Sequence, residues 1–110
     1  MSARAGIALA LCALCAAVFA PVLGFDFVSY DDWRLVRDNP LMREGLSAGG
    51  VGRALGRPHY LNWIPLTTLS YHLDAELFGL DARAFHATNL LCHMLATALF
   101  FLALARLTRE

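Results

Sequence analysis

IALALCALCAAVFAPVLGF, residues 7–25, is a run of 19 residues with no charged side chain, interrupted only by Pro21 and Gly24 near its end. Wound as a helix it rises about 28 Å, close to the thickness of the hydrocarbon core of a bilayer. Cys15-Ala16-Ala17 and Val18-Phe19-Ala20 are poor versions of a small-x-small cleavage site, so the segment reads as an uncleaved anchor rather than a signal peptide. A second apolar run, residues 85–105, is of similar length and ends in Arg106-Leu107-Thr108-Arg109. Two spans therefore bracket the polar residues between them.

Composition agrees. Only 16% of the 110 residues are charged, below the roughly 25% of soluble domains, and 58% are hydrophobic. Nine acidic and nine basic side chains cancel, which excludes nucleic acid as the partner because phosphate binding needs a clustered positive excess. The cysteines, Cys12, Cys15 and Cys92, all lie in the apolar runs, so the intervening residues hold neither a disulfide framework nor a zinc site. They read as small hydrophobes facing lipid or a neighbouring helix. Arg4 at one end and Arg106 and Arg109 at the other put positive charge outside both spans. The positive-inside rule then predicts cytoplasmic termini and an extracytoplasmic loop, residues 26–84.

That loop must pack on something, for it contains Phe27, Tyr30, Trp33, Tyr60, Trp63, Tyr71 and Phe78. Asp38-Asn39-Pro40 predicts a turn, and Ser47 predicts a cap for a short helix through Val51 to Leu55, broken by Arg57-Pro58. Pro65 to Phe78 predicts a further helix, with Pro65 in its first turn, Gly79 as its stop, and Leu66, Leu69, Leu73 and Leu77 on one stripe opposite Asp74 and Glu76. Being too short to cross a bilayer, it is expected to lie along the surface. The fold class is thus an all-α membrane protein. Its two transmembrane helices are joined by an extracytoplasmic loop of short helices, divided as residues 1–25, 26–84, 85–105 and 106–110.

Three groups of residues can carry chemistry. Asp31 and Asp32 adjoin just beyond the first span, where paired carboxylates suit a site that takes a proton from an acceptor hydroxyl. Asp32 is also a candidate ligand for a divalent metal ion. The structural alternative is Asp31 capping a short helix, residues 32–38. On the second span His86, Asn89, His93 and Thr97 share a face about 80° wide, and a polar stripe in a membrane helix faces helices, a cavity or a ligand rather than lipid. Asn62 and Trp63, beside Tyr60, are either interface anchors or contacts for a sugar or lipid phosphate.

Taken in order, Tyr30-Asp31-Asp32, Asp38-Asn39-Pro40, Gly45-Leu46-Ser47, Asn62-Trp63-x-Pro65-Leu66-Thr67, Leu77-Phe78-Gly79-Leu80 and His86-Ala87-Thr88-Asn89-Leu90-Leu91-Cys92-His93 resemble the amino-terminal part of the tetratricopeptide-repeat membrane glycosyltransferases. That group includes the animal transmembrane and tetratricopeptide-repeat O-mannosyltransferases and bacterial relatives. The resemblance implies a polytopic C-type glycosyltransferase. Such an enzyme moves a sugar, mannose in the animal members, from a polyprenyl-phosphate donor to an extracytoplasmic acceptor, here expected to be a protein, at a bacterial inner membrane rather than the endoplasmic reticulum. Asp31 and Asp32 match its acidic motif, and Pro65 to Phe78 matches its surface helix. Relatives often carry a basic residue or histidine before the matched proline, where this chain has Ile64, so Arg57 or His59 is expected to supply the positive charge for the lipid phosphate. No tetratricopeptide repeat is present, and the chain is expected to be an amino-terminal fragment, inactive alone. The rival reading is a non-enzymatic two-span protein acting in assembly or anchoring.

Overall fold

Ser2 opens the first helix by accepting the Ala5 N–H on its hydroxyl at 3.3 Å, and α1 runs Ala3–Phe19. The cap carries the helix back past Arg4 to Ala3, which lies four residues ahead of the apolar run. At the other end Pro21 has no N–H to give the carbonyl four residues earlier, so the α-helix stops and the chain tightens into a 3-10 turn, Ala20–Gly24. The final helix, α4, is Ala82–Leu107, begun by Asp81, whose carboxylate takes the Arg83 N–H at 3.0 Å. Its 26 residues rise about 39 Å. In this computed structural model, which describes residues 2–108, both Ala3–Gly24 and Ala82–Leu107 are long and apolar enough to cross a membrane. Arg109, used above for the topology, lies outside the described residues, as does Glu110.

All regular structure among the described residues is helical, and the chain divides into two compact units. One holds the residues up to Gly24 and those from His86 on. Here α1 and α4 meet through a few side chains: Phe19 stands edge-on to the His93 ring at 5.1 Å, Cys15 Sγ lies 3.6 Å from Thr97 Oγ1, and the Cys12 thiol donates to the Met94 carbonyl at 3.5 Å. The polar stripe of α4 thus turns partly towards α1, and all three cysteines are free.

The other unit, Phe25–Phe85, is built around Val36, Met42 and Phe85, with Phe27, Leu35, Leu41, Tyr71 and Ala75 packed on them. Phe85 is its keystone, in edge contact with Phe27 at 5.5 Å and tilted on Tyr71 at 5.9 Å; burial of such a ring contributes roughly 1.5–3 kcal/mol. Around this core run a single turn of π-helix, Trp33–Arg37, and a 3-10 turn, Pro40–Glu44. They are followed by α2, Ala48–Gly56, and α3, Pro65–Phe78. Ser47 caps α2 as expected, taking the Gly50 N–H at 3.1 Å, although the helix extends beyond Val51–Leu55 at both ends.

α3 has the expected bounds, with Pro65 in its first turn and Gly79, at φ +70°, ending it. Its polar residues Thr68, His72 and Asp74 are buried, while Leu66 and Leu77 are 79% and 62% exposed. One detail of the stripe differs from expectation. Glu76 lies seven residues from Leu69, hence on the leucine side rather than opposite it, and leans over to take the Leu46 N–H at 2.7 Å.

Candidate functional site

The stretch Phe25 to Asp31 follows the first long helix without helical structure of its own and is tied down by the carboxylates of Asp26 and Asp32. Asp26 accepts the Phe27 N–H at 2.7 Å, and Asp32 Oδ2 reaches back to the Val28 N–H at 2.9 Å. Neither member of the acidic pair caps the helical turn that follows. Asp32 sits at its N-cap position without a side-chain bond to it, and Asp31 contributes only its backbone carbonyl, to the Leu35 N–H at 2.8 Å. The two acids therefore differ in placement. Asp32 is half-buried and fastens the chain, whereas Asp31 is exposed and borders a cleft of about 930 Å³.

The cleft walls are aromatic and charged: Tyr30, Trp33 and Tyr60 with Arg34 and Asp38. Arg34 donates to the Tyr60 hydroxyl at 2.7 Å, with its guanidinium 5.7 Å from the centre of that ring, and Arg37 lies 4.8 Å from the centre of the Trp33 ring. Each of these two rings thus has a guanidinium over one face, while Tyr30 is 79% exposed. Tyr60 occupies the left-handed region at φ +57°, a conformation that costs a non-glycine residue about 1–2 kcal/mol. A tight reversal enforces it, in which His59 N–H donates to the Asn62 carbonyl at 2.8 Å and Asn62 N–H to the His59 carbonyl at 3.1 Å. Strain of this kind is characteristic of places where a side chain must be aimed.

Behind the cleft, and sharing Leu41 with it, lies a second cavity of about 160 Å³ bordered by His59, Thr68, His72 and Arg57. His59 Nε2 is 2.9 Å from the Leu35 carbonyl, which also receives Asn39 Nδ2 at 3.4 Å. His72 Nδ1 is 2.6 Å from the Gly45 carbonyl. Above them, burial first and the negative charge of Asp32 second raise the Tyr71 hydroxyl above its ordinary value of 10.0.

The residues expected to touch substrate divide between the two units. Arg57, His59, Asn62 and Trp63 belong to the loop unit. The indole N–H of Trp63 is spent on the Leu55 carbonyl at 3.0 Å, docking this segment on the end of α2. His86, Asn89 and His93 belong to the helix pair, where they border a cavity of about 260 Å³ with Phe19 and Val22. Among the described residues no group of three or more His, Cys, Asp or Glu side chains is placed to hold a metal ion, and Asp32 is part of no such group. Sequence reasoning missed Arg34 and His72. The first is joined to Tyr60 across 26 residues, and the second sits mid-helix, so neither leaves a local signature.

No family model and no solved structure matches this chain. Among curated proteins, a protein O-mannosyl-transferase of Caenorhabditis elegans is 28% identical over 86 residues, covering 72% of this chain. The chain spans 12% of that relative's length. It is therefore distantly similar to an O-mannosyl-transferase, and two helices fit to cross a membrane flank the unit that holds the acidic cleft.

Proposed function

We propose that this chain supplies the acidic cleft of a polytopic membrane glycosyltransferase of C-type architecture. The enzyme moves a sugar, mannose by analogy with the relative, from a polyprenyl-phosphate donor to a hydroxyl of an extracytoplasmic protein. The observation that carries the reading is Asp31, an exposed carboxylate opening on a large aromatic cleft in a unit flanked by two spans. In the reaction Asp31 takes the proton of the acceptor hydroxyl as that oxygen bonds to the anomeric carbon. The bond from that carbon to the phosphate oxygen breaks, and polyprenyl phosphate leaves with the electron pair. Asp32 acts through the backbone, holding Val28 and so the cleft edge. Arg34 and Tyr60 also line this cleft; the proposed donor contacts of the loop unit are Arg57, His59, Asn62 and Trp63, and those of the helix pair, taken by themselves, are His86, Asn89 and His93. The loop, residues 26–84, lies outside the cytoplasm, and α3 rests on the membrane surface by its leucine face.

The test is transfer from a polyprenyl-phosphate sugar in membranes that express the whole reading frame containing these residues. Asp31→Asn is expected to lower transfer by at least about 100-fold, the lower end of what a positioned base contributes, with membrane insertion unchanged. Full activity in Asp31→Asn would refute the assignment.

A further inference from the structure

Arg4 and Arg106 are the arginines of the helix-pair unit among the described residues, and those residues include no acidic side chain in that unit. Both border one open cavity of about 470 Å³ shared by α1 and α4. Neither makes an ion pair among the described residues. Arg4 is the second residue of α1, whose first turn contains no acid. A cation there is repelled by the positive end of the helix, whereas Arg106, in the last turn of α4, offsets a negative end. One of two neighbouring positive charges is thus unbalanced, and the cavity they share calls for an anion.

The apolar wall of the cavity says what kind of anion. Residues four apart on a helix lie one above the other, so Ala8 sits one turn inward from Arg4, and Leu102 one turn inward from Arg106. Ala5 and Leu9 complete the wall. Each arginine therefore stands at a charged mouth, from which a strip of alanine and leucine leads along the helices towards the middle of the span. A free inorganic anion would use only the mouth. At about 30 Å³ for each water-sized group the cavity holds roughly fifteen, several times what a phosphate needs. Depth agrees, because Arg4 stands about 4.5 Å ahead of Ile7 and Arg106 directly follows the second apolar run, so both flexible stems carry their guanidiniums to the level of lipid headgroups.

We propose that this cavity binds an anionic phospholipid, its phosphate held by Arg4 and Arg106 and one acyl chain lying on Ala5, Ala8, Leu9 and Leu102. Basic pockets between membrane helices are a recurrent form of headgroup site. The loop unit joins α1 and α4 at their other ends, so this lipid is not the sugar donor proposed above. The proposal rests on both helices crossing the bilayer, but neither on the transferase reading nor on which compartment the arginines face.

The test is lipid selection, read by native mass spectrometry. Protein from the whole reading frame containing these residues is released from nanodiscs of equal parts phosphatidylglycerol and phosphatidylcholine, and the lipid it retains is identified by mass. Phosphatidylglycerol is expected to be preferred by at least about tenfold. Arg4→Gln and Arg106→Gln should each cut that preference about fivefold, the value of one arginine near an anionic surface. Arg83→Gln removes an equal charge at the other end of α4 and should leave the preference unchanged. Ala5→Leu fills the cavity while keeping both charges, and should lower the preference as far as either arginine change does. Diffuse attraction to anionic headgroups would survive it. Equal retention of the two lipids, or a preference indifferent to the Arg4, Arg106 and Ala5 changes, would overturn the proposal. So would a lipid-free dimer, in which a second copy covers the groove. Because transfer is not measured, such a result leaves the Asp31 reading standing, and an active Asp31→Asn enzyme would leave the lipid site standing.

Discussion

Glycine 50 shows how tightly the histidine cavity is built. A Cβ there would run into the Gly45 carbonyl oxygen, the acceptor for His72, and would come within 3.2 Å of His72 Nδ1. Gly52 lies two residues on in the same helix, and a Cβ there meets nothing within 4 Å. Alanine gains up to about 1 kcal/mol over glycine in a helix interior, whereas crowding a packed site costs about 1–3 kcal/mol. Gly52→Ala is therefore expected to raise the unfolding free energy by about 0.5–1 kcal/mol, and Gly50→Ala to lower it, as measured by denaturation in detergent. Only the Gly50 change should disturb the His72 ring signal in a nuclear magnetic resonance spectrum. The single residues that matter most here were unevenly visible beforehand. Asp31 stands out as half of an acidic pair, but which acid faces the cleft depends on Asp32 bonding to Val28. His72 becomes notable only when Gly45, 27 residues away, folds against it.

Among the elements, α3 inverts the usual arrangement of a surface helix, with Thr68, His72 and Asp74 inward and leucines outward. Helical spacing made its bounds and its leucine stripe legible, yet period alone cannot say which face meets the core. The buried polar face is decided by distant partners on the 40–45 turn and α2, and a stripe exposed on the molecule suits a membrane surface. Leu66→Ser and Leu77→Ser are accordingly expected to change unfolding stability in detergent by no more than about 0.5 kcal/mol each. Asp74→Ala, at 4% exposure, should cost about 1–3 kcal/mol through the polar contacts it strands. The opposite ordering would mean that the leucine face is the packed one. The π-turn was not legible at all. Asp38 N–H bonds to the Trp33 carbonyl at 2.8 Å, one residue beyond α-helical reach, and no residue type in Trp33–Arg37 signals that. Removing one residue there would make an ordinary turn and rotate everything before it by about 100° relative to Val36.

For the whole molecule, hydropathy was enough to find both long helices. Their ends shifted to Ala3 and Ala82 because Ser2 and Asp81 cap them. The cleft was beyond such reading, since it joins residues 29–41 to Tyr60 through the Arg34 bond. The proposed topology can be checked by labelling. In intact cells a membrane-impermeant maleimide is expected to modify Ser29→Cys but to reach Thr108→Cys only after lysis, in a background where Cys12, Cys15 and Cys92 are replaced by serine. Modification in the reverse order would place the loop in the cytoplasm. The native thiols carry a consequence of their own. All three belong to the helix-pair unit, and the 61 residues of Phe25–Phe85 include none. The loop unit therefore has no thiol to oxidise, cross-link or shuffle. A hydrophobic core and hydrogen bonds hold its shape without any disulfide, so the redox poise of the compartment has no covalent link in this unit to make or break.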